Sequence, residues 1–141
     1  MYEEYSFVFD IDGTICPIKK ADENYADLVP FPEIVAKIRY YKEQGARIIL
    51  YSSRNMNSYH GNIGMINANT APVLIEWLKK WDIPFDEIHY GKVWPGHKGF
   101  YVDDRTVRPD EFLSCSPEEL DAICAKSRCT RKEGEQHGQT D

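Results

Sequence analysis

The chain has 141 residues, of which 42% are hydrophobic and 13% aromatic, which indicates one folded domain and excludes a chain that is disordered throughout. The formal net charge of −6 argues against a nucleic-acid partner, because binding to the phosphate backbone relies on Lys and Arg. No apolar run reaches the ~18 residues that a membrane-spanning helix needs, and the N-terminus lacks a signal-peptide pattern. We therefore expect a cytoplasmic protein without a membrane partner.

The first apolar run, residues 6–9, predicts a buried strand because it contains aromatic and β-branched residues and is too short for a helix. A loop follows, marked by Gly13, Pro17 and a polar stretch. From about Glu33, apolar residues recur at three- and four-residue spacing, which predicts an amphipathic helix that ends at Gly45.

A second buried strand is predicted over residues 47–51. Residues 55–69 are rich in Asn and Gly without periodicity, and they predict a loop of a length that is usually functional or disordered. Thr70, with Pro72 inside the first turn, predicts the start of the next helix.

Two further strands are predicted at residues 87–90 and 100–102, followed by short helices over 109–115 and 117–126. The alternation of apolar strands and helices predicts an α/β fold with a sheet covered by helices. We predict a Rossmann-like three-layer α/β/α sandwich with a mainly parallel sheet over residues 1–126. Residues 127–141 are polar and predict a disordered tail.

Polar residues follow the carboxyl end of each predicted strand, which is where ligands bind in open α/β sheets. Asp10 and Asp12 follow the first strand. Close carboxylates repel each other, and a hard cation such as Mg²⁺ relieves the repulsion; one carboxylate could then attack phosphorus and the other transfer a proton. The alternatives are an Asx turn and a calcium-loop fragment, although Ile15, Cys16 and Pro17 break the EF-hand pattern.

The other strand ends carry weaker signals. Ser52 or Ser53 offers a hydroxyl for a phosphoryl oxygen, and Lys92 offers an ammonium for transition-state charge. Asp103 and Asp104 suit the completion of a metal site. The alternatives are a turn cap for the serines, a solvated surface position for the lysine, and an N-cap or an ion pair for the two acids.

Together these residues resemble the motifs of the haloacid dehalogenase-like (HAD) superfamily of phosphatases over residues 6–104, most specifically in the FDIDGT run at residues 9–14. The resemblance implies Mg²⁺ as cofactor, an aspartyl-phosphate intermediate on Asp10, and Asp12 as general acid and base. It also implies catalytic roles for Ser52 and Lys92 and metal binding by Asp10, Asp12 (through its backbone carbonyl), Asp103 and Asp104.

Within that superfamily, residues 48–56, 89–92 and 101–105 resemble small phosphatases of capsule and polysaccharide biosynthesis. Family members often carry a cap domain, but Ser52 lies 42 positions after Asp10 and 40 before Lys92, so we expect no separate cap domain. Five residues are candidates for substrate binding, with ordinary loop surface as the alternative for each: Thr14, Ser53, Arg54, Asn55 and His60.

The sequence thus predicts Mg²⁺-dependent hydrolysis of a small phosphorylated metabolite, such as a sugar phosphate in surface polysaccharide biosynthesis. Two alternatives stay open: a phosphatase of a large substrate (a nucleic-acid 3′-phosphate or a phosphoprotein), and a non-catalytic phosphate-binding module. A dehalogenase is disfavoured because that branch typically lacks the second acid of the first motif, which is present here as Asp12. The sequence is compatible with a homo-oligomer.

Overall fold

The computed structural model describes residues 1–131. The chain forms two compact units, the first spanning Met1–Phe100 and the second beginning at Tyr101. Neither of the two segments where a cap domain would enter forms a unit of its own, because both lie within Met1–Phe100. The predicted tail falls mostly outside the described residues, so it stays a prediction, as does the extent of a single core over residues 1–126.

The first unit contains a three-stranded parallel sheet in the order β1-β2-β3. The strands are β1 (Ser6–Phe9), β2 (Arg47–Ser52) and β3 (Glu87–Tyr90), which confirms the first three predicted strands. In the register, Phe9 pairs with Leu50, and Ser52 pairs with Tyr90. The carboxyl ends of the three strands therefore lie side by side at one edge of the sheet.

Helix α1 (Pro32–Glu43) connects β1 to β2 and confirms the predicted amphipathic helix. Proline at its start fits the first turn, where a backbone N–H would have no partner within the helix. Its apolar stripe is buried, as the spacing predicts, and consists of Ile34, Val35, Ile38 and Tyr41. A short 3₁₀ turn (Tyr25–Asp27) precedes the helix.

Residues 55–69 are less irregular than the sequence suggests. After a series of turns, helical structure begins at α2 (Ile63–Met65), continues through a π-helical turn (Ile66–Thr70) and runs into α3 (Ala71–Lys80). Asn62 caps the start of this run, since its side chain accepts from the Met65 N–H. Helix α3 begins directly after Thr70, as predicted, with proline in its first turn, but the Thr70 side chain makes no capping hydrogen bond because helical backbone already precedes it. The π turn disturbs the apolar periodicity, and this hides the first helical residues from the pattern.

The core of the first unit lies between the sheet and its helices. Strand β2 contributes Ile48 and Leu50, and helix α3 contributes Leu74 and Leu78, and all four side chains are fully buried. The edge strand β1 is more accessible, since Val8 is 60% exposed. In β2 only alternate residues are buried, because Ile49 and Tyr51 on the other face are half-buried, and β3 has no fully buried residue. The expectation that both faces of every strand are buried is therefore wrong for these strands, and one face of β2 is the part that is fully buried.

The predicted fourth strand is absent from the described residues. Residues 100–102 have no regular secondary structure, and Phe100 and Val102 are 88% and 97% exposed. The preceding turn is tight, because a Cβ added to Gly99 would stand 2.1 Å from the Pro95 carbonyl oxygen. A three-residue apolar run is too short to define a strand by itself.

The second unit contains α4 (Pro109–Ser114) and α5 (Pro117–Ser127), which confirm the two predicted short helices. Helix α5 begins with a capping box, in which the Ser116 side chain accepts from the Glu119 N–H and the Glu119 carboxylate accepts from the Ser116 N–H. Among residues 1–131, no helix has the length and apolarity needed to cross a bilayer.

The described structure is thus α/β, with a small parallel sheet and several helices, and is compatible with a Rossmann-like fold. The three-layer arrangement stays a prediction.

A candidate active site at the carboxyl end of the sheet

Three chain segments leave the sheet at the same edge. Asp10 directly follows β1, Ser52 ends β2, and Lys92 lies two residues beyond β3. The Lys92 N–H donates to the Ser52 carbonyl at 3.1 Å, which continues the contact between β2 and β3 beyond the last paired residues. Because the strands are parallel, these polar residues gather where α/β sheets bind ligands.

The Asp10 carboxylate has a different partner on each oxygen. The Lys92 ammonium lies 3.4 Å from Oδ1, and the Thr14 hydroxyl donates to Oδ2 at 3.3 Å. The Asp10 side chain nevertheless stays 34% exposed, so a ligand can approach it. The structure therefore brings Asp10, Thr14 and Lys92 together, as the motifs predict.

The turn after Asp10 is held by buried isoleucines and by its own backbone. The N–H groups of Thr14, Ile15 and Cys16 all point to the Ile11 carbonyl, at 3.1, 2.8 and 3.2 Å. Ile11 and Ile15 are fully buried and anchor the turn in the core. Gly13 has φ of 89°, a left-handed conformation that glycine adopts without strain.

Asp12 pairs with Arg54 through two parallel hydrogen bonds. Arg54 Nε donates to Asp12 Oδ2 at 3.1 Å, and Nη2 donates to Oδ1 at 2.8 Å. The Arg54 side chain is 1% exposed and that of Asp12 is 23% exposed. Two of the Arg54 side-chain nitrogens therefore bind Asp12, and the predicted contact of Arg54 with substrate stays a prediction.

The remaining surroundings of Arg54 are aromatic and sulfur groups. The Tyr25 ring centroid lies 4.0 Å from the guanidinium carbon, and Cys16 Sγ lies 4.0 Å from Nη2. Burial, with the nearby Asp12 charge, raises the pKa of Cys16 to about 12 and also raises the pKa of Tyr25. Arg54 Nη1 is buried and has no hydrogen-bond partner among the described residues.

The two serines at the end of β2 differ in burial. Ser52 is 2% exposed, and its hydroxyl oxygen accepts from the Arg54 N–H at 3.0 Å. The Ser53 carbonyl accepts from the Met56 N–H at 3.0 Å. Ser52 thus shapes the turn that leads to Arg54, and its own hydroxyl proton is still able to serve another acceptor.

Asn55 and His60 both adopt left-handed backbone conformations, with φ of 64° and 51°. Asn55 Oδ1 accepts from the Thr70 hydroxyl at 2.7 Å, which ties the turn to the π-helical segment. His60 lines a separate, open groove of about 220 Å³ with Met56, Asn57, Val93 and Trp94. Asn55 instead lines a smaller cavity with Arg54, so the structure places Asn55 and His60 at different cavities.

Asp103 and Asp104 belong to the second unit. Asp103 Oδ1 accepts from the Arg105 N–H at 3.3 Å, and this bond lowers the pKa of Asp103. Asp104 Oδ2 accepts from Arg128 Nε at 3.0 Å. Within either unit taken alone, the described residues contain no group of three or more His, Cys, Asp or Glu side chains that could hold a metal. Metal binding by Asp103 and Asp104 therefore stays a prediction.

Sequence reasoning missed Tyr25 and Cys16 as neighbours of the Asp12–Arg54 pair. Tyr25 lies in a polar stretch without periodicity, and Cys16 stands out only as a residue that breaks the calcium-loop pattern. No local signal identifies either residue, because both contacts with Arg54 join segments that are far apart in the chain.

No protein-family model and no curated protein matches the chain. A chain in the structure of the Pnkp1/Rnl/Hen1 RNA repair complex matches with a TM-score of 0.43 and 16% identity, over 87% of this chain and 31% of that one. A similarity this low says nothing about the activity of the present chain. A crystal structure of a protein from Vibrio cholerae matches with a TM-score of 0.82 and 40% identity, over 88% of this chain and 99% of that one. The chain therefore belongs to the same protein family as this Vibrio cholerae protein.

Proposed function

We propose that the chain is a Mg²⁺-dependent phosphomonoester hydrolase of the HAD-like superfamily that acts through an aspartyl-phosphate on Asp10. The observation that carries the proposal is the setting of Asp10 at the end of β1. Its carboxylate lies 3.4 Å from the Lys92 ammonium and 3.3 Å from the Thr14 hydroxyl, and it stays partly exposed. A carboxylate that is to approach a dianionic phosphate needs such positive and donor groups beside it.

In the first step, an Asp10 oxygen forms a bond to phosphorus while the ester bond between phosphorus and the leaving oxygen breaks. Asp12 gives a proton to that leaving oxygen. In the second step, water attacks phosphorus, Asp12 takes the proton of the water, and the Asp10 carboxylate is released with phosphate. Lys92 stabilises the negative charge that the phosphoryl group carries through both steps.

Arg54 supports this scheme as a positioning residue for Asp12. Its two hydrogen bonds fix the plane of the Asp12 carboxylate. Each carboxylate oxygen has a second lone pair, so Asp12 can accept from Arg54 and still exchange a proton with the substrate. The rigid, fork-shaped donor group of arginine suits this task better than a lysine ammonium does.

Mg²⁺ fits the donors that the proposal names. The Asp10 side chain is accessible, and oxygen ligands are the ones that Mg²⁺ prefers. We propose the Asp10 carboxylate and the Asp12 backbone carbonyl as ligands from the first unit. Metal binding by Asp103 and Asp104 stays what the motif resemblance implies. When bound, the ion offsets the negative charge of the phosphate group.

We propose a small phosphorylated metabolite as the substrate, such as a sugar phosphate in surface polysaccharide biosynthesis. The acidic charge of the chain and the resemblance of residues 48–56 to small capsule-biosynthesis phosphatases support this choice.

Phosphate release from a panel of phosphomonoesters tests the proposal. The panel contains sugar phosphates, a 3′-phosphorylated oligonucleotide and a phosphopeptide, each with Mg²⁺ and with a chelator, and Asp10→Asn serves as the blank. We expect turnover of a sugar phosphate that Asp10→Asn and chelation both abolish. Preferred turnover of the oligonucleotide or the phosphopeptide would show that the substrate is a large molecule and not a sugar phosphate. Equal phosphate release by Asp10→Asn would show that Asp10 is not the nucleophile.

A further inference from the structure

A small cavity lies beside Arg54 in the first unit. Its volume is about 120 Å³, and its walls are formed by Tyr25, Arg54, Asn55, Asn69, Thr70 and Val73. Whole small-molecule sites usually occupy ~300–1,000 Å³, so this cavity suits one group of a larger ligand. Arg54 links this cavity to the proposed active site, because Arg54 lines the cavity and its guanidinium also binds Asp12.

Arg54, which lines this cavity, carries a donor that no group of the described residues uses. Arg54 is 4% exposed, two of its side-chain nitrogens bind Asp12, and the third, Nη1, is buried without a partner among residues 1–131. A buried donor without an acceptor costs free energy and is rare in folded proteins. A ligand oxygen that accepts from Nη1 would remove this cost.

The backbone around the cavity departs from regular structure at two places. Asn55 has φ of 64°, and residues Ile66–Thr70 form a π-helical turn. The bond between Asn55 Oδ1 and the Thr70 hydroxyl joins these two walls. Single π-helical turns inside α-helices frequently occur at functional sites, so this arrangement supports a binding role.

The charges of the cavity select the kind of ligand. Arg54 is the charged residue of the lining, and its charge is balanced by Asp12 at 2.8 Å. An anionic ligand group would compete with Asp12 for the guanidinium and be repelled by its carboxylate. An uncharged hydroxyl meets neither problem, while the Tyr25 ring and Val73 offer surface to the carbon atoms that carry it.

We propose that this cavity binds the uncharged, hydroxyl-bearing part of the leaving group, with a hydroxyl oxygen accepting from Arg54 Nη1. The inference rests on the proposed function, since Asp12 protonates the leaving oxygen and the leaving group therefore lies on the side of Asp12 and Arg54. Because Nη1 is enclosed in the free protein, binding displaces a wall, and the half-buried Tyr25 ring over the guanidinium is that wall.

Two substrates of similar size test whether the site prefers an uncharged leaving group over an anionic one. Glycerol 3-phosphate and 3-phosphoglycerate differ in that the second carries a carboxylate. We expect the full-length protein to favour glycerol 3-phosphate by about tenfold in kcat/KM, the scale on which a pocket discriminates one group. An equal or reversed preference would overturn the assignment to a neutral group.

A preference for glycerol 3-phosphate could also arise because an acidic protein repels anions in general. A variant that fills the cavity distinguishes this cause from binding in the cavity. Val73 is 41% exposed and lines the cavity, whereas Val29 is 59% exposed and lies outside it, so Val73→Phe and Val29→Phe form a matched pair. We expect Val73→Phe to reduce the preference for glycerol 3-phosphate several-fold and Val29→Phe to retain it. Asn69→Ala, which removes an exposed amide from the wall, serves as a second cavity variant should Val73→Phe fold poorly.

The outcomes distinguish the subsite from the function. Suppose that the wild-type protein releases phosphate and that Val73→Phe and Asn69→Ala both keep its preference for glycerol 3-phosphate. The proposed subsite is then wrong, while the proposed phosphatase activity is retained. If neither compound nor any sugar phosphate is turned over by the wild-type protein, the proposed function fails and the subsite fails with it.

Discussion

Asp12 and Arg54 lie 42 positions apart in the chain and are joined by hydrogen bonds of 3.1 and 2.8 Å. The two side chains differ in burial, since that of Arg54 is 1% exposed and that of Asp12 is 23% exposed. The pair is therefore unequal: Asp12 is the counter-ion of a buried guanidinium, while the Asp12 carboxylate is still partly solvated. This inequality has consequences for both stability and activity.

The first prediction concerns the stability of this pair. Asp12→Asn leaves a buried guanidinium without its counter-ion, and we expect it to lower the free energy of unfolding by about 3 kcal/mol. Arg54→Gln leaves a carboxylate that water partly solvates, so we expect a smaller loss of about 2 kcal/mol. Urea unfolding of the two variants measures both values.

The double variant Asp12→Asn/Arg54→Gln is the control for this prediction. Because it removes both charges, we expect it to be less destabilised than the sum of the single variants. Strict additivity would show that the two side chains do not interact in solution. Losses of activity in Asp12→Asn must then be measured well below its unfolding temperature, because the substitution changes folding as well as chemistry.

The second prediction concerns Lys92, whose ammonium lies 3.4 Å from Asp10. Lys92→Met removes a charge that stabilises the phosphoryl group in the transition state, and we expect kcat to fall by about a hundredfold or more. The exposed Lys98 provides the matched control, Lys98→Met, which we expect to keep the wild-type kcat. Steady-state kinetics on the preferred substrate gives both values. An unchanged kcat in Lys92→Met would show that Lys92 does not stabilise the transition state.

The third prediction follows from the buried thiol of Cys16. Burial and the Asp12 charge raise its pKa from the ordinary value of 9.0 to about 12. In the native protein at pH 8 we expect iodoacetamide to label the exposed Cys129 and the half-buried Cys115, and to spare Cys16 and Cys124. Mass spectrometry locates the labels, and denatured protein, in which all four react, is the control.

The same shift sets the direction of a pH effect on stability. The folded protein holds the Cys16 proton more tightly than the unfolded chain does, so the stabilisation is complete below pH 9.0 and decreases as the pH rises towards 12. We expect the stability of the wild type relative to Cys16→Ala to decrease between pH 8 and pH 10.5 in urea unfolding. A constant difference across this range would show that the Cys16 pKa is not raised.

The fourth prediction concerns the turn that carries Asp12. Gly13 has φ of 89°, where a Cβ is strained, so we expect Gly13→Ala to reduce the free energy of unfolding by about 1–2 kcal/mol and to impair activity. Gly64 lies in helix α2 without a positive φ, and Gly64→Ala is the control. Its added Cβ would stand 3.3 Å from the Asn62 side-chain oxygen, which can shift, so we expect a smaller loss than for Gly13→Ala. Thermal and urea unfolding compare the two, and equal effects would contradict the role of the turn.

The local patterns predicted most of the elements in the described chain. The apolar runs that end at Asp10, at Ser52 and shortly before Lys92 are strands, and the apolar spacing of α1 matches its buried face. These predictions succeed because burial imposes a period of two or 3.6 on the sequence itself. The pattern failed at residues 63–70, where a π turn breaks the period, and at residues 100–102, where the run is too short.

The placement of polar residues after parallel strands also follows from the sequence, because the carboxyl ends of such strands share one edge. That principle correctly predicts that the side chains of Asp10 and Lys92 lie close together. It does not predict the contact between Arg54 and Asp12. A side chain as long and rotatable as that of arginine has many reachable partners, and the surrounding packing selects one.

The sequence by itself determined that this protein is an α/β chain with paired acids, a hydroxyl and an ammonium at successive strand ends. Those features are local, since each depends on residues within a few positions of one another. The tertiary structure alone decided that Tyr25 covers Arg54, that Arg54 binds Asp12, and that one guanidinium nitrogen of this cavity-lining arginine has no partner among the described residues. Such contacts join segments roughly thirty to forty positions apart, and the folding of the whole unit is what brings them within hydrogen-bond distance.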